Sequence, residues 1–141
     1  MTLLRCEVHG TPISQGSLKR GFGYSLTYSN DKDLKQWRHM VICELVDARP
    51  DNWDQDAAVK VSVVFRFTRP KSHFGARGLL PSAPNHKMTK PDTDKVTRSI
   101  GDAIEQSGLI RNDSQIVHWD AQKVWAADGE GPGAVITIEQ L

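Results

Sequence analysis

From position 59 to 67 the chain runs Val-Lys-Val-Ser-Val-Val-Phe-Arg-Phe, with Val59, Val61, Val63, Phe65 and Phe67 at every second residue. A period of two is the signature of an extended strand that buries one face, so this chain has to build a sheet around that segment. Arg66 then falls on the face away from the core. Leu4, Cys6 and Val8 alternate with Arg5, Glu7 and His9 in the same way and predict a first strand. Residues 116–125 and 134–139 read as two more, joined by Asp128-Gly129-Glu130-Gly131-Pro132-Gly133, whose glycines and proline suit a turn.

Two segments carry the helical period instead. Leu34, Trp37, Val41, Leu45 and Ala48 recur at spacings of three and four, after a candidate cap at Ser29 or Asn30 and before Pro50. Val96, Ile100, Ala103 and Ile104 form a stripe within residues 94–107, and Gly108 sits where a left-handed residue would end that helix. Residues 11–30, rich in Gly, Ser and Tyr, read as a loop or loose hairpin with Lys19 and Arg20 near its tip. Residues 69–90, with their prolines, glycines and basic side chains, read as a long surface loop, a kind that in compact domains is usually functional or disordered. The order β, α, β, α, β, β predicts one α+β domain over residues 1–141, a mixed sheet packed against two main helices; a chain of 141 residues is the size of one domain.

Apolar runs fall far short of the ~20 residues that span a bilayer, so no membrane association is expected. Charge interrupts the first apolar residues too early for an export signal, which predicts a cytoplasmic protein. Cys6 and Cys43 lack zinc-site spacing and read as two buried thiols. Neither a G-x-x-x-x-G-K-[ST] run nor a G-x-S-x-G elbow occurs, so neither a nucleotide cofactor nor serine hydrolysis is expected. His73 and His86 read as solvated loop histidines or, alternatively, phosphate contacts. Trp119 and Trp125 share one face of a strand and suit core or dimer packing better than base stacking.

The net charge of +1 hides an asymmetry. Between Lys60 and Arg98 nine basic residues face only Asp92 and Asp94, a net +7 that leaves −6 for the rest. Local positive charge of this kind attracts a phosphate backbone, although a solvated lysine-rich face counts the same way. Asp92 and Asp94 stand at the expected start of the second helix, where a negative side chain is favoured by free N–H groups. One aspartate explains a cap; two at i and i+2 converge only if the first is still extended. Asp113, in Arg111-Asn112-Asp113-Ser114-Gln115, reads alone as a turn residue. Were the three carboxylates to meet, their hard oxygens would suit Mg²⁺ or Mn²⁺, and the basic segment would offset their repulsion of a polyanion.

Lys90-Pro91-Asp92-Thr93-Asp94-Lys95-Val96-Thr97-Arg98, then Gly101-Asp102-Ala103-Ile104 and Asn112-Asp113-Ser114-Gln115-Ile116, resemble the RusA family of Holliday junction resolvases. The family pattern is a D-x-D-N-x-x-K helix start, a D-A-L-type helix end and a D-D-S-Q strand start. Gly10-Thr11-Pro12, Gln15-Gly16 and Lys19-Arg20 also look like the opening of phage-type members. The resemblance implies an endonuclease dependent on Mg²⁺, with Mn²⁺ as the alternative ion, that acts as a homodimer on four-way DNA junctions by paired symmetric nicks. By position Asp92, Asp94 and Asp113 are its metal ligands. Arg98 falls on the family's catalytic lysine; it keeps the charge but cannot readily lose a proton. Lys95 and Asn112 are further departures, and Asp102 is an outer-shell candidate.

Lys19, Arg20, Lys71, Arg77, Lys87, Lys90 and Lys95 are the expected DNA contacts. Two alternatives remain open on the sequence: a flap or branched-DNA nuclease of the same chemistry, and a junction-binding module that has lost catalysis.

Overall fold

In a computed structural model, which describes residues 2–15, 18–20, 26–28 and 31–141, the alternating segment is flanked by a strand on either side. The elements in order are β1 (Leu3–His9), β2 (Leu18–Arg20), β3 (Leu26–Tyr28), α1 (Asp31–Ala48), β4 (Val59–Phe67), β5 (Phe74–Gly75), β6 (Gly78–Leu79), α2 (Thr93–Gln106), β7 (Ile116–Trp125) and β8 (Gly133–Gln140). The main sheet has the order β1-β8-β4-β7. β8 runs antiparallel to both β1 and β4, whereas β7 runs parallel to β4, with Val61 beside Trp119 and Phe67 beside Trp125. The sheet is therefore mixed, as the order of elements predicts.

Val59, Val61, Val63 and Phe65 are buried on the core face with Leu4, Val8, Ile136 and Ile138. Trp37, Val41 and Leu45 of α1 and Val96, Ile100 and Ile104 of α2 complete that core, so both predicted stripes are apolar packing faces. Each such side chain contributes about 1.5–3 kcal/mol over its exposed state. Gly108 ends the α2 region at φ 82°, the left-handed conformation a glycine adopts without strain.

Several expectations change. The backbone of β2 pairs with that of β3, giving the hairpin expected in residues 11–30; the side chains of Lys19 and Arg20, like the cap at Ser29 or Asn30, lie outside the described residues. The long loop holds a 3₁₀ turn at Lys71–His73 and the small hairpin β5–β6. Cys6 is buried, and burial pushes its thiol up to about 11, but Cys43 is exposed on α1, so only one thiol is a core residue. Among the described residues no helix is long and apolar enough to cross a membrane.

Arg66 does point away from the core, yet only 8% of it is exposed. Its guanidinium lies 2.8 Å from Glu7 on β1 and 3.7 Å from Glu130, and Nε donates to the carbonyl of Gly131 at 3.3 Å. One cation thereby ties β1, β4 and the β7–β8 turn. A Cβ at Gly133 would lie 2.7 Å from Arg66 Nη2 and closer still to the carbonyl of Val8, so only glycine lets the strands close around the guanidinium. Gly133→Ala should cost about 1–3 kcal/mol in urea unfolding through this overpacking. The Arg66 hydrogen bond holds the Glu7 carboxyl below its ordinary value of 4.5. Its stabilising effect is complete above that value and disappears as pH falls through the lower folded-state value. Glu7→Gln should therefore lower Tm at pH 7, and the gap to wild type should shrink in melts recorded below pH 4.

Candidate active site

Asp92 occupies the N-cap position of α2 with extended backbone, φ −68° and ψ 142°, but its side chain makes no capping hydrogen bond. The simple cap explanation therefore fails for Asp92, and its carboxylate is free of that duty. Asp92 Oδ2 lies 3.7 Å from Lys95 Nζ, and Asp94 Oδ2 lies 3.9 Å from Arg98 Nη2 one turn on. Both aspartate side chains are more than half exposed. Exposed i,i+3 and i,i+4 pairs of this kind are worth at most about 1 kcal/mol, so either carboxylate is readily re-aimed.

The turn before β7 is built more tightly. Asn112 accepts from Ser114 N at 2.9 Å and caps a 3₁₀ turn over Asp113–Gln115. Gln115 Oε1 accepts from the backbone N–H groups of Arg111 and Asn112, at 2.8 and 3.1 Å. Its Nε2 donates to the carbonyls of Gln55 and Ala57, both at 2.9 Å. Asp113 N donates to Glu105 Oε1 at 3.1 Å, which fastens the turn to the end of α2. Asparagine in place of the family's aspartate at 112 thus has a capping role that needs no charge.

A cavity of about 350 Å³ opens between these two regions, lined by residues that include Arg98, Asp102, Asp113 and Trp119. Gly101 lets Trp119 approach: a Cβ there would lie 3.4 Å from its ring. Burial raises the Asp102 carboxyl above its ordinary value, the Arg38 guanidinium 3.6 Å away opposes this, and the neighbouring Asp113 and Glu105 charges add to the rise. The structure therefore brings Arg98 and Asp113 to one cavity and adds Asp102, which belongs to the same helix face as Asp94 and Arg98. That spacing of four is a further sequence signal that could have raised its weight.

Asp92 and Asp94 do not line this cavity. Eight residues of helix, about 12 Å of rise, separate Asp94 from Asp102. Among the described residues no three His, Cys, Asp or Glu side chains stand close enough together to hold an ion. The donors nevertheless fit a hard divalent cation in kind: all are carboxylates, and those at the start of α2 are exposed and weakly held.

Of the expected DNA contacts, Lys71, Arg77 and Lys90 are exposed and Lys95 is half-buried beside Asp92. Lys87 is placed differently. Its ammonium donates to Thr89 Oγ1 at 2.8 Å and to the carbonyl of Lys90 at 2.9 Å, and it lies within 5 Å of the Phe67 and Trp125 ring centres. Desolvation, and then the nearby Lys123, lower its pKa. His73 packs edge-on against Trp125 at 5.1 Å instead of standing free in solvent.

A mixed sheet carrying a cavity lined by two aspartates and an arginine, on a chain that also exposes Lys71, Arg77 and Lys90, has the make-up of a nuclease that acts on a phosphate backbone. The model of the family Endodeoxyribonuclease RusA matches residues 10–139, and the chain belongs to that family. It is accordingly an endodeoxyribonuclease of the Holliday junction type, a hydrolase of DNA phosphodiester bonds with branched DNA as its partner and recombination and repair as its setting. Enzymes of the family typically use a divalent metal. No curated protein matches the chain.

Gln115→Ala removes four hydrogen bonds from the turn that carries Asp113. It should cost about 2 kcal/mol or more in chemical denaturation, and the remaining folded protein should cleave more slowly because Asp113 is no longer held.

Proposed function

We propose that residues 1–141 act as a single domain that resolves four-way DNA junctions by paired symmetric nicks in the presence of Mg²⁺, working as a homodimer. The observation that carries this reading is the position of Arg98, whose guanidinium reaches towards Asp94 on one side and lines the cavity of Asp102 and Asp113 on the other. Asp92, Asp94 and Asp113 are the proposed ligands of the ion. When bound, Mg²⁺ supplies an activated water and part of the charge stabilisation needed for phosphodiester hydrolysis.

The protein's own residues do the rest. Arg98 binds the attacked phosphate through two N–H groups and stabilises the charge that builds on its oxygens. A guanidinium is permanently charged, so Arg98 takes no proton from the water. Lys71, Arg77, Lys90 and Lys95 hold the DNA backbone through contacts independent of sequence, which suits an enzyme that reads branch shape. Asp102, paired with Arg38, fixes the part of the cavity wall that α2 contributes. A junction offers two equivalent strands, and a two-fold dimer presents two equivalent sites to them.

Asp94→Asn should lower junction cleavage in Mg²⁺ by about two orders of magnitude while leaving junction binding intact, measured on end-labelled four-way DNA. Unchanged cleavage would overturn the assignment of Asp94. Equal cutting of flaps would shift the substrate to branched DNA in general, and binding without cutting in any divalent metal would indicate a junction-binding module.

A further inference from the structure

Thr89, Lys90 and Pro91 lead directly into Asp92, and two lysines from outside that triplet hold its backbone. Lys123, on β7, donates through Nζ to the carbonyl of Thr89 at 2.9 Å and to that of Pro91 at 2.8 Å. Lys87 reaches the same triplet from within the loop, donating to Thr89 Oγ1 at 2.8 Å and to the Lys90 carbonyl at 2.9 Å. Its ammonium lies 4.9 Å from the centre of the Phe67 ring and 4.8 Å from that of Trp125, so this donor rests on the ends of β4 and β7. Three consecutive carbonyls thus accept from two charged donors, and charge-assisted bonds are the stronger kind. A solvated loop needs no such arrangement, because water satisfies its carbonyls. Two ammonium groups are brought close together here at a cost in desolvation and mutual repulsion, on a segment with little apolar packing of its own.

We propose that Lys123 and Lys87 are positioning residues that clamp residues 89–91 to the sheet and thereby set where Asp92 and Asp94 present their carboxylates. The proposal rests on the assignment of those two aspartates as metal ligands. Their side chains are exposed and only weakly paired, so the backbone that carries them is what fixes their mutual placement. Lys123 is not a DNA contact on this view, since its ammonium is directed at two carbonyls of its own chain.

The test titrates Mn²⁺ into the DNA-free protein by calorimetry and, separately, follows junction cleavage against Mg²⁺ concentration. Lys123→Met should weaken Mn²⁺ binding about tenfold and raise the Mg²⁺ requirement by a similar factor, as loss of a group that orients metal ligands does. Metal-free junction binding and its salt dependence should stay within twofold of wild type, and Lys123→Arg, which also donates to two carbonyls, should recover part of the loss. Unchanged Mn²⁺ binding in Lys123→Met would overturn the proposal. So would a uniform loss of junction affinity with a shallower salt dependence, which marks a lost phosphate contact. If Lys123→Met does not fold by circular dichroism, Lys87→Met decides the matter in the same titrations. Asp94→Asn run alongside separates the two levels: should it leave Mn²⁺ binding intact, the ligand assignment itself fails, whereas if it abolishes binding and neither lysine variant matters, the clamp alone is wrong.

Discussion

Two neighbouring parallel strands cannot be joined by a tight turn, so the chain leaving β4 at Phe67 must travel back before it enters β7 at Ile116. That return is α2, and the requirement sets where each acidic residue can be. The start of α2, with Asp92 and Asp94, lies towards the ends of β4 and β7 where Phe67 and Trp125 stand. The turn after α2, with Asp113, lies at the beginning of β7 beside Val59. Helix length therefore separates the carboxylates along its axis, and the face of α2 that carries Asp94, Arg98 and Asp102 is the line joining them. Gly101 brings this face close to Trp119, which makes β7 a wall of the cavity and not only a strand of the sheet.

Periodicity was enough for the elements. The alternation at residues 59–67 and the stripe of Val96, Ile100, Ala103 and Ile104 report burial directly, because a core face leaves a mark at each repeat. Partnering leaves no such mark. Arg66 sits on the outer face as its parity requires, yet Glu7 and Glu130 enclose it from segments far away in sequence. Lys87 counts as one more positive charge in a basic loop until the rings of Phe67 and Trp125 and the carbonyl of Lys90 are found around it. Both sets of partners escape a local pattern because long charged side chains can fold back onto their own protein.

The site was legible to a similar depth. The segment from Lys90 to Arg98 and that from Asn112 to Ile116 identify the family, and the family match over residues 10–139 agrees. Asp102 was harder to weigh, since an aspartate two turns into an amphipathic helix is ordinarily a solvated residue. Its environment comes from burial, from Arg38 on α1 and from the turn at Asp113–Gln115, which Gln115 anchors to the carbonyls of Gln55 and Ala57 some sixty residues earlier. No local pattern reports a contact of that range.

Position 98 is where sequence and geometry bear on each other most closely. A lysine there can in principle exchange a proton when its pKa is lowered, but an arginine cannot, so Arg98 offers charge without proton transfer. What arginine keeps is a planar pair of donors suited to two phosphate oxygens. That fork is turned towards Asp94, at 3.9 Å in an exposed pair that binds weakly. On the proposed assignment, a phosphate would compete for the same N–H groups with the advantage of a bidentate geometry, and the carboxylate it displaced would be free to take up a cation. Substrate binding would thereby free the Asp94 carboxylate through one guanidinium, with position 98 supplying charge and no proton.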